Sequence, residues 1–339
     1  MLTVEVDIAR LYDNVRAVKA KTDAGIWAVV KANAYGHGAR ETAHAVKALV
    51  HGFAVADERE ALALVSAGIR QDILVMGTAP PKRLSLPKNI ILTVADREGV
   101  LAARGHAARV ALKLNTGMNR LGARTEDAAG LYQCAIDAGL STDSAFTHFY
   151  AGADETQCAI QHGRFLEATQ AFYKKLPLHC CASNALTLPK AFHHDFIRPG
   201  LAMYGCGYQG VRPAMRVYAD ALQLNRVARG GHIGYGTFRA SHALTAVTFR
   251  AGYGDGYPRK KPGERREVSI GGLKCPVLGQ VCMDMSMADV SGVGLPGDGR
   301  VYLLDEVVTA DELAAKMKTI TYEVLTMIND RAERVYVHG

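Results

Sequence analysis

The strongest constraint on this chain is a rhythm. Over its first two hundred residues, short apolar runs alternate with stretches of helical periodicity. Runs around 26–31, 52–56, 72–77, 90–94, 109–114, 145–149, 178–182 and 195–198 read as strands. Helical stretches lie between most of them, at 39–50, 57–67, 96–104, 125–138 and 157–175. Asp7 is placed to cap an earlier helix whose apolar face is Ile8, Leu11, Val15 and Val18, at spacings of three and four. The connection TAPPKRLSLPKN, between the runs at 72–77 and 90–94, holds three prolines and can form little helix. Eight strands in strand–helix alternation predict an α/β chain with a (β/α)8 barrel of the TIM type; a doubly wound sheet is the alternative.

The texture changes after about residue 215. VYADALQLNRVA, ALTAVTFRAGYG, REVSIGGLKCPVLGQVC and GRVYLLDE are strand-like and separated by glycines. Helical patterning returns only at 311–318 and 322–330. At 339 residues the chain is too long for most single cores. The expected organisation is therefore a barrel over 1–215 and a mostly β domain over 216–339.

Composition excludes several classes. No segment is apolar for long enough to span a bilayer, and the opening MLTVEVDIARLYDN lacks the basic and apolar regions of a secretory signal. The seven cysteines are scattered and form no C-x-x-C pair, which argues against a disulfide framework or a zinc ribbon. A cytoplasmic protein is expected. The net charge of +7 is dispersed; the one dense stretch, Arg259 to Arg266, carries Pro258, Pro262 and Gly263 and reads as a solvated loop. A nucleic-acid partner and a membrane partner are therefore not expected, whereas a mildly basic surface suits an enzyme with anionic ligands.

Function in such barrels gathers at the carboxyl ends of the strands. The first end gives Lys31, closing the apolar run Ile26–Val30 and followed by Asn33, Tyr35, Gly36, His37 and Gly38. Burial there lowers an amine's pKa, and a neutral amine condenses with an aldehyde. The plain alternative is a strand-end lysine that snorkels to water. The fifth end gives Lys113, Asn115, Met118 and Arg120, the sixth His148, the seventh Ser183 and Asn184, and the eighth Arg198, Pro199 and Gly200. Loops after the last two strands commonly seat a phosphate. A phosphate with an aldehyde facing Lys31 describes pyridoxal 5'-phosphate.

The motifs AVVKANAYGHG, KLNTGMNRLG, THF before a downstream ADE, RPGLAMYG, AGYGDGYPR, VLGQVCMDMS and YEVLTMINDRAERVYV cover nearly the whole chain. Together they resemble the alanine racemases, pyridoxal-phosphate enzymes of fold type III. The resemblance implies an N-terminal barrel, a C-terminal β domain and a head-to-tail homodimer whose active site the partner completes. It implies L-/D-alanine interconversion by two bases, through an external aldimine, supplying D-alanine for bacterial peptidoglycan. Lys31 would hold the cofactor and serve one face of the substrate α-carbon. Tyr253, lent by the partner, would serve the other. Arg198 would contact the pyridine nitrogen and His148 the ring. Gly200 and Leu201 would offer amides to the phosphate, helped by Tyr35, Tyr336 and either Ser183 or Asn184. Arg120 would steer the substrate carboxylate, assisted by Met283 of the partner. No metal is implied, and Arg334 is read as a packing or surface residue.

Three departures from the family pattern stand out. Asn115 replaces a usual aspartate two residues after Lys113, a lysine that can be carbamylated; an anion such as chloride beside Arg120 is the alternative. The usual Asn-Ser after the seventh strand is Ser183-Asn184, and Gln280 stands where arginine is common. A broader-specificity amino-acid racemase is a close competitor, and a fold-type III decarboxylase a further one. A cofactor carrier would end after the barrel. A metal hydrolase using His179, Cys180, Cys181, His193, His194 and Asp195 lacks a standard ligand spacing.

Overall fold

The computed structural model describes residues 1–78, 85–107 and 109–338. It divides into two compact units: Leu11–Ala34 with Ala39–Val211, and Met1–Arg10 with Tyr35–Gly38 and Arg212–Gly339. Half of the proline-rich connection TAPPKRLSLPKN, residues 79–84, lies outside the described residues.

Strand β1 (Leu2–Asp7) belongs to the second unit, and the first unit is the barrel. Its strands are β2 (Gly25–Val29), β3 (Gly52–Val55), β4 (Asp72–Val75), β5 (Ile90–Val94) and β6 (Arg109–Asn115). A short β7 (Ala123–Arg124) pairs with β6 off the main path, and β8 (Ser141–Phe146), β9 (Leu178–His179) and β10 (Phe196–Ile197) continue it. Neighbours are parallel, β10 pairs with β2, and a parallel bridge between Ala182 and Arg198 joins β9's extension to β10's. The sheet therefore closes, which decides for the barrel over the doubly wound alternative. Residues of β3 and β5 are buried throughout, as expected of strands covered on both faces.

Aspartates set the helix starts. Asp57, Asp96 and Asp154 accept from the backbone N–H groups of Glu60, Gly99 and Gln157, capping the helices Glu58–Ser66, Arg97–Ala103 and Glu155–Thr169. Asp7 accepts from Arg10 N at 3.0 Å, and Leu11, Val15 and Val18 of the following helix are buried. At the amino ends of the strands, Arg109 grips Asp72 with Nη1 and Nη2 (2.6 and 2.7 Å) and Asp143 with Nε (2.7 Å).

Some element boundaries differ from the sequence reading. The sixth barrel strand lies at Ser141–Phe146 and not at 145–149, so Thr147 and His148 fall beyond its carboxyl end. The helix expected to reach 175 ends at Thr169, whose hydroxyl turns back onto Phe165 O.

In the second unit, β1 runs antiparallel to β11 (Met215–Val227). The other strands are β12 (Leu244–Phe249), β13 (Glu267–Ile270), β14 (Leu273–Leu278), β15 (Ser286–Asp289), β16 (Arg300–Leu304) and β17 (Glu333–Val337). β1 also pairs in parallel with β17, so the chain's two ends lie side by side in one sheet. The expected helix at 322–330 is Thr321–Thr326, because the chain must turn into β17. The basic stretch before β13 is no solvated loop throughout. Arg266 is buried against Glu264, lies over the Tyr257 ring (4.7 Å) and donates to Pro258 O. Lys260 and Lys261 donate to Val277 O and Met317 O, both at 2.7 Å.

Candidate active site

Lys31 sits just past β2, and the four residues after it are left-handed: Ala32 (φ 51°), Asn33 (52°), Ala34 (55°) and Tyr35 (53°). None is glycine, so each carries a cost of about 1–2 kcal/mol. Strain of this kind persists only where surroundings over-determine it. Here Ala32 N donates to Glu60 Oε1 (2.7 Å), Ala34 N to Val30 O (2.8 Å) and Ala39 N to Asn33 Oδ1 (2.8 Å). Burial, and then the Arg120 charge, hold the Lys31 amine below its ordinary pKa, with Glu60 acting the other way.

The barrel's carboxyl end gathers further cations. Arg198 is buried; its Nη2 donates to Thr147 O (2.6 Å) and Cys180 O (3.2 Å), and its Nη1 meets His179 Nδ1. Burial lowers its pKa to about 10, so it stays protonated at neutral pH. Lys113 is buried with its Nζ 4.3 Å from the centre of the Phe146 ring; Arg198 Cζ lies 5.2 Å from the same centre. That ring also stacks on His179 with an interplanar angle of 4°. Both cations thus share the Phe146 face. Burial, and then the charges of Arg198, Arg120 and Lys31, drive the Lys113 amine well below its usual range. Among the described residues no carboxylate pairs with it. His148 is likewise pushed down by burial and by Arg198, Lys113, Arg120 and Lys31.

A cavity is lined by Lys113, Leu114, Asn115, Met118, Arg120, Leu121, Thr147 and His148. Asn115 holds its rim: Oδ1 accepts from Gly117 N (3.1 Å) and Asn119 N (3.0 Å), leaving Asn119 left-handed immediately before Arg120. Past β9 the Ser183 hydroxyl accepts from Gly200 N (2.8 Å) and Ala202 N (3.2 Å), whereas Asn184 is exposed. A buried residue absent from the sequence reading ties these loops together. Gln161 donates to Thr116 Oγ1 (3.1 Å) and His148 O (3.2 Å) and accepts from Tyr150 N (3.0 Å). A glutamine on a helix carries no sequence signal for such a role.

The β unit carries the remaining sequence-selected groups. Tyr253 opens a short 3-10 turn and is 43 % exposed; Met283 is 54 % exposed. Their segments are bound together, because Tyr253 N donates to Cys282 O (3.0 Å) and Gly254 N to Met283 O (2.8 Å). Arg331 braces both, with Nη2 on Asp284 (2.8 Å) and Nε 3.4 Å from Asp255. A second tyrosine, Tyr235, stands between Gly234 (φ 67°) and Gly236 (φ 92°) and is 72 % exposed. Exposure of a tyrosine between two glycines is a signal the motif reading passed over. Tyr35 packs on Tyr322, ring centres 5.7 Å apart, and burial raises the pKa of both phenols. Tyr336 lies on β17 opposite Val6. Arg334 is more than a surface residue: it donates to Gly36 O (2.9 Å) and Ile328 O (3.2 Å).

The alternative metal set is spread among separate partners. His179 bonds Ser144 Oγ (3.0 Å), His193 bonds Thr22 Oγ1 (2.8 Å), and His194 bonds His162 (2.8 Å). The barrel's donor set fits an anionic aromatic aldehyde instead: a low-pKa amine, buried guanidinium and imidazole groups, and a hydroxyl beside backbone amides.

The sequence matches "Alanine racemase, N-terminal domain" over residues 6–207 and "Alanine racemase, C-terminal domain" over residues 214–336. The chain belongs to the alanine racemase family. Among curated relatives, the alanine racemase of Desulfovibrio desulfuricans is 34 % identical, covering 98 % of this chain and 97 % of its own. Alanine racemase 1 of Bacillus subtilis is 32 % identical, with 99 % and 92 % covered. The solved alanine racemase of Streptomyces coelicolor superposes with a TM-score of 0.90 at 30 % identity, over 100 % of this chain and 98 % of that one. The Bacillus anthracis enzyme with bound L-Ala-P gives 0.90 at 29 % identity, over 99 % and 95 %.

Proposed function

We propose that this protein is an alanine racemase that interconverts L- and D-alanine with pyridoxal 5'-phosphate bound at Lys31, acting in the cytoplasm to supply D-alanine for the cell wall. The observation that carries the reading is a depressed-pKa lysine at the carboxyl end of a barrel that also holds a buried Arg198, with no carboxylate paired to it among the described residues. The cofactor, when bound, supplies the conjugated ring that acidifies the substrate's α-C–H.

Lys31 then takes or returns a proton at one face of that carbon. Racemisation needs a second group on the other face, since the proton leaves one side and returns to the opposite one. Tyr253, lent by a second copy in a homodimer, is the proposed partner base. Tyr235 is the competing candidate, favoured by its greater exposure. Arg198 donates toward the pyridine nitrogen without surrendering its proton. Such an arginine would leave that nitrogen unprotonated and so disfavour transamination. Ser183, buried beside the Gly200 and Ala202 amides, is better placed than Asn184 to help Gly200 and Leu201 hold the phosphate, with Tyr35 and Tyr336 assisting. His148 would lie against the cofactor ring. Arg120 grips the substrate carboxylate with help from the partner's Met283 amide. Burial that disfavours the Lys113 ammonium also favours addition of carbon dioxide to its amine with release of a proton, so Lys113 is the candidate for carbamylation beside Arg120, and a bound anion such as chloride is the alternative.

Borohydride reduction of the loaded protein followed by peptide mass mapping tests this reading. The pyridoxyl group is expected on Lys31 alone; its appearance on another lysine would refute the assignment.

A further inference from the structure

Glu60 occupies the third position of the helix Glu58–Ser66, whose cap is Asp57. A glutamate there commonly reaches back to the N–H of the cap itself. Glu60 does not. Its Oε2 accepts from Ala56 N at 2.7 Å, and its Oε1 accepts from Ala32 N, also at 2.7 Å. One carboxylate thus spans the segments that leave β2 and β3 and grips the first residue of the left-handed run after Lys31.

We propose that Glu60 is a positioning residue for Lys31: it fixes the strained backbone on which the amine is mounted and sets a negative charge beside it. This rests on the reading of Lys31 as the reactive amine. Backbone N–H groups and a carboxylate make charge-assisted bonds, stronger than neutral ones. A left-handed alanine has no glycine-like freedom to hold itself in place. Ala32 therefore needs an external restraint, and Glu60 supplies it through the Ala32 N–H. The charge has a second effect. Arg120 disfavours the Lys31 ammonium, and Glu60 acts in the opposite direction.

The full-length protein, with and without pyridoxal phosphate, is compared with Glu60→Gln and Glu60→Ala by hydrogen–deuterium exchange. In the cofactor-free protein, competitive labelling with acetic anhydride across pH gives the Lys31 titration. In Glu60→Ala, exchange across 32–35 is expected to rise at least about ten-fold with the β5 and β6 amides unchanged. In Glu60→Gln, which is the variant used if the alanine form does not fold, the Lys31 midpoint is expected to move to lower pH. Unchanged exchange at 32–35, or an unchanged or raised Lys31 midpoint, would overturn the proposal. Neither readout requires turnover. Loss of the Lys31 role itself would appear instead as full racemisation by Lys31→Ala.

Discussion

Arg198 and His179 share one contact inside the barrel, guanidinium Nη1 against imidazole Nδ1. Because arginine only donates, His179 must present a lone pair at Nδ1 and carry its proton on Nε2, which faces Ser144 Oγ at 3.0 Å. The tautomer is fixed by the arginine, and a protonated His179 would set two cations face to face. His179→Phe keeps the stack on Phe146 but removes the acceptor. Its expected effect is weaker cofactor retention with the barrel still folded, checked by dialysis against free cofactor. Undiminished retention would show that the pair does not orient Arg198.

The histidine pair His162–His194 makes stability depend on pH. Burial, and then His162, push His194 down to about 4, below the usual 6.5. The unfolded state therefore takes up the proton first. Stability is complete above about 6.5 and declines as pH falls from there towards 4. The urea midpoint is expected to drop between pH 7 and pH 5, and to drop less in His194→Asn. Asparagine accepts the left-handed backbone at that position (φ 51°). Identical declines in both proteins would remove His194 from this role.

Arg109, on β6, closes the amino-terminal side of the barrel by bonding Asp143 of the adjacent β8 and Asp72 of β4, one strand beyond β5. The three side chains are only 13–28 % exposed. Arg109→Ala leaves two carboxylates facing each other and should cost about 2–3 kcal/mol, between exposed and fully buried pairs. Arg109→Lys restores charge without the bidentate grip and should recover part of it. A denaturation midpoint that does not move in the alanine variant would contradict this.

Gly252 lets the Tyr253 turn lie against the Met283 segment. A Cβ there would come within 2.2 Å of Met283 O. Gly252→Ala must push the two segments apart, at about 1–3 kcal/mol. Displacement of groups by about 1 Å costs up to ~10²-fold in rate. Activity is expected to fall far more than the unfolding midpoint; parallel small losses would mean that this face does not reach a reacting centre.

The two tyrosines are separable by direction. Replacing the opposing base by phenylalanine should cost about 10²–10⁴-fold, and α-deuterium exchange from one enantiomer should suffer most. Tyr253→Phe and Tyr235→Phe are compared with both enantiomers. Asymmetry in one variant assigns the role to that residue, and symmetry in both would discard the two-tyrosine choice.

Much of this was legible in the sequence, for identifiable reasons. Barrel strands such as GFAV and IILTV are buried on both faces and so read as plain apolar runs. STDSAF was harder: Ser144 is taken up by His179 inside the barrel, Ser141 is exposed, and the strand carries little apolar signal. Leu2–Asp7 alternates as a strand should, but its partners lie more than two hundred residues away. Lys31 and Arg198 were visible as cations at strand ends. Left-handed Ala32 and Ala34 were not, since alanine carries no turn signal and the conformation is imposed by Glu60 and Val30. Tyr322 was passed over because a tyrosine on a short helix reads as packing until Tyr35 is seen beside it.

The most direct measurement incubates the protein, loaded with pyridoxal phosphate, with L-alanine in deuterium oxide, and follows optical rotation and α-deuterium content. Rotation decaying to zero with deuterium entering the α-carbon, both abolished in Lys31→Ala, is the expected result. Rotation that persists, or substrate lost as an amine with release of carbon dioxide, would contradict it.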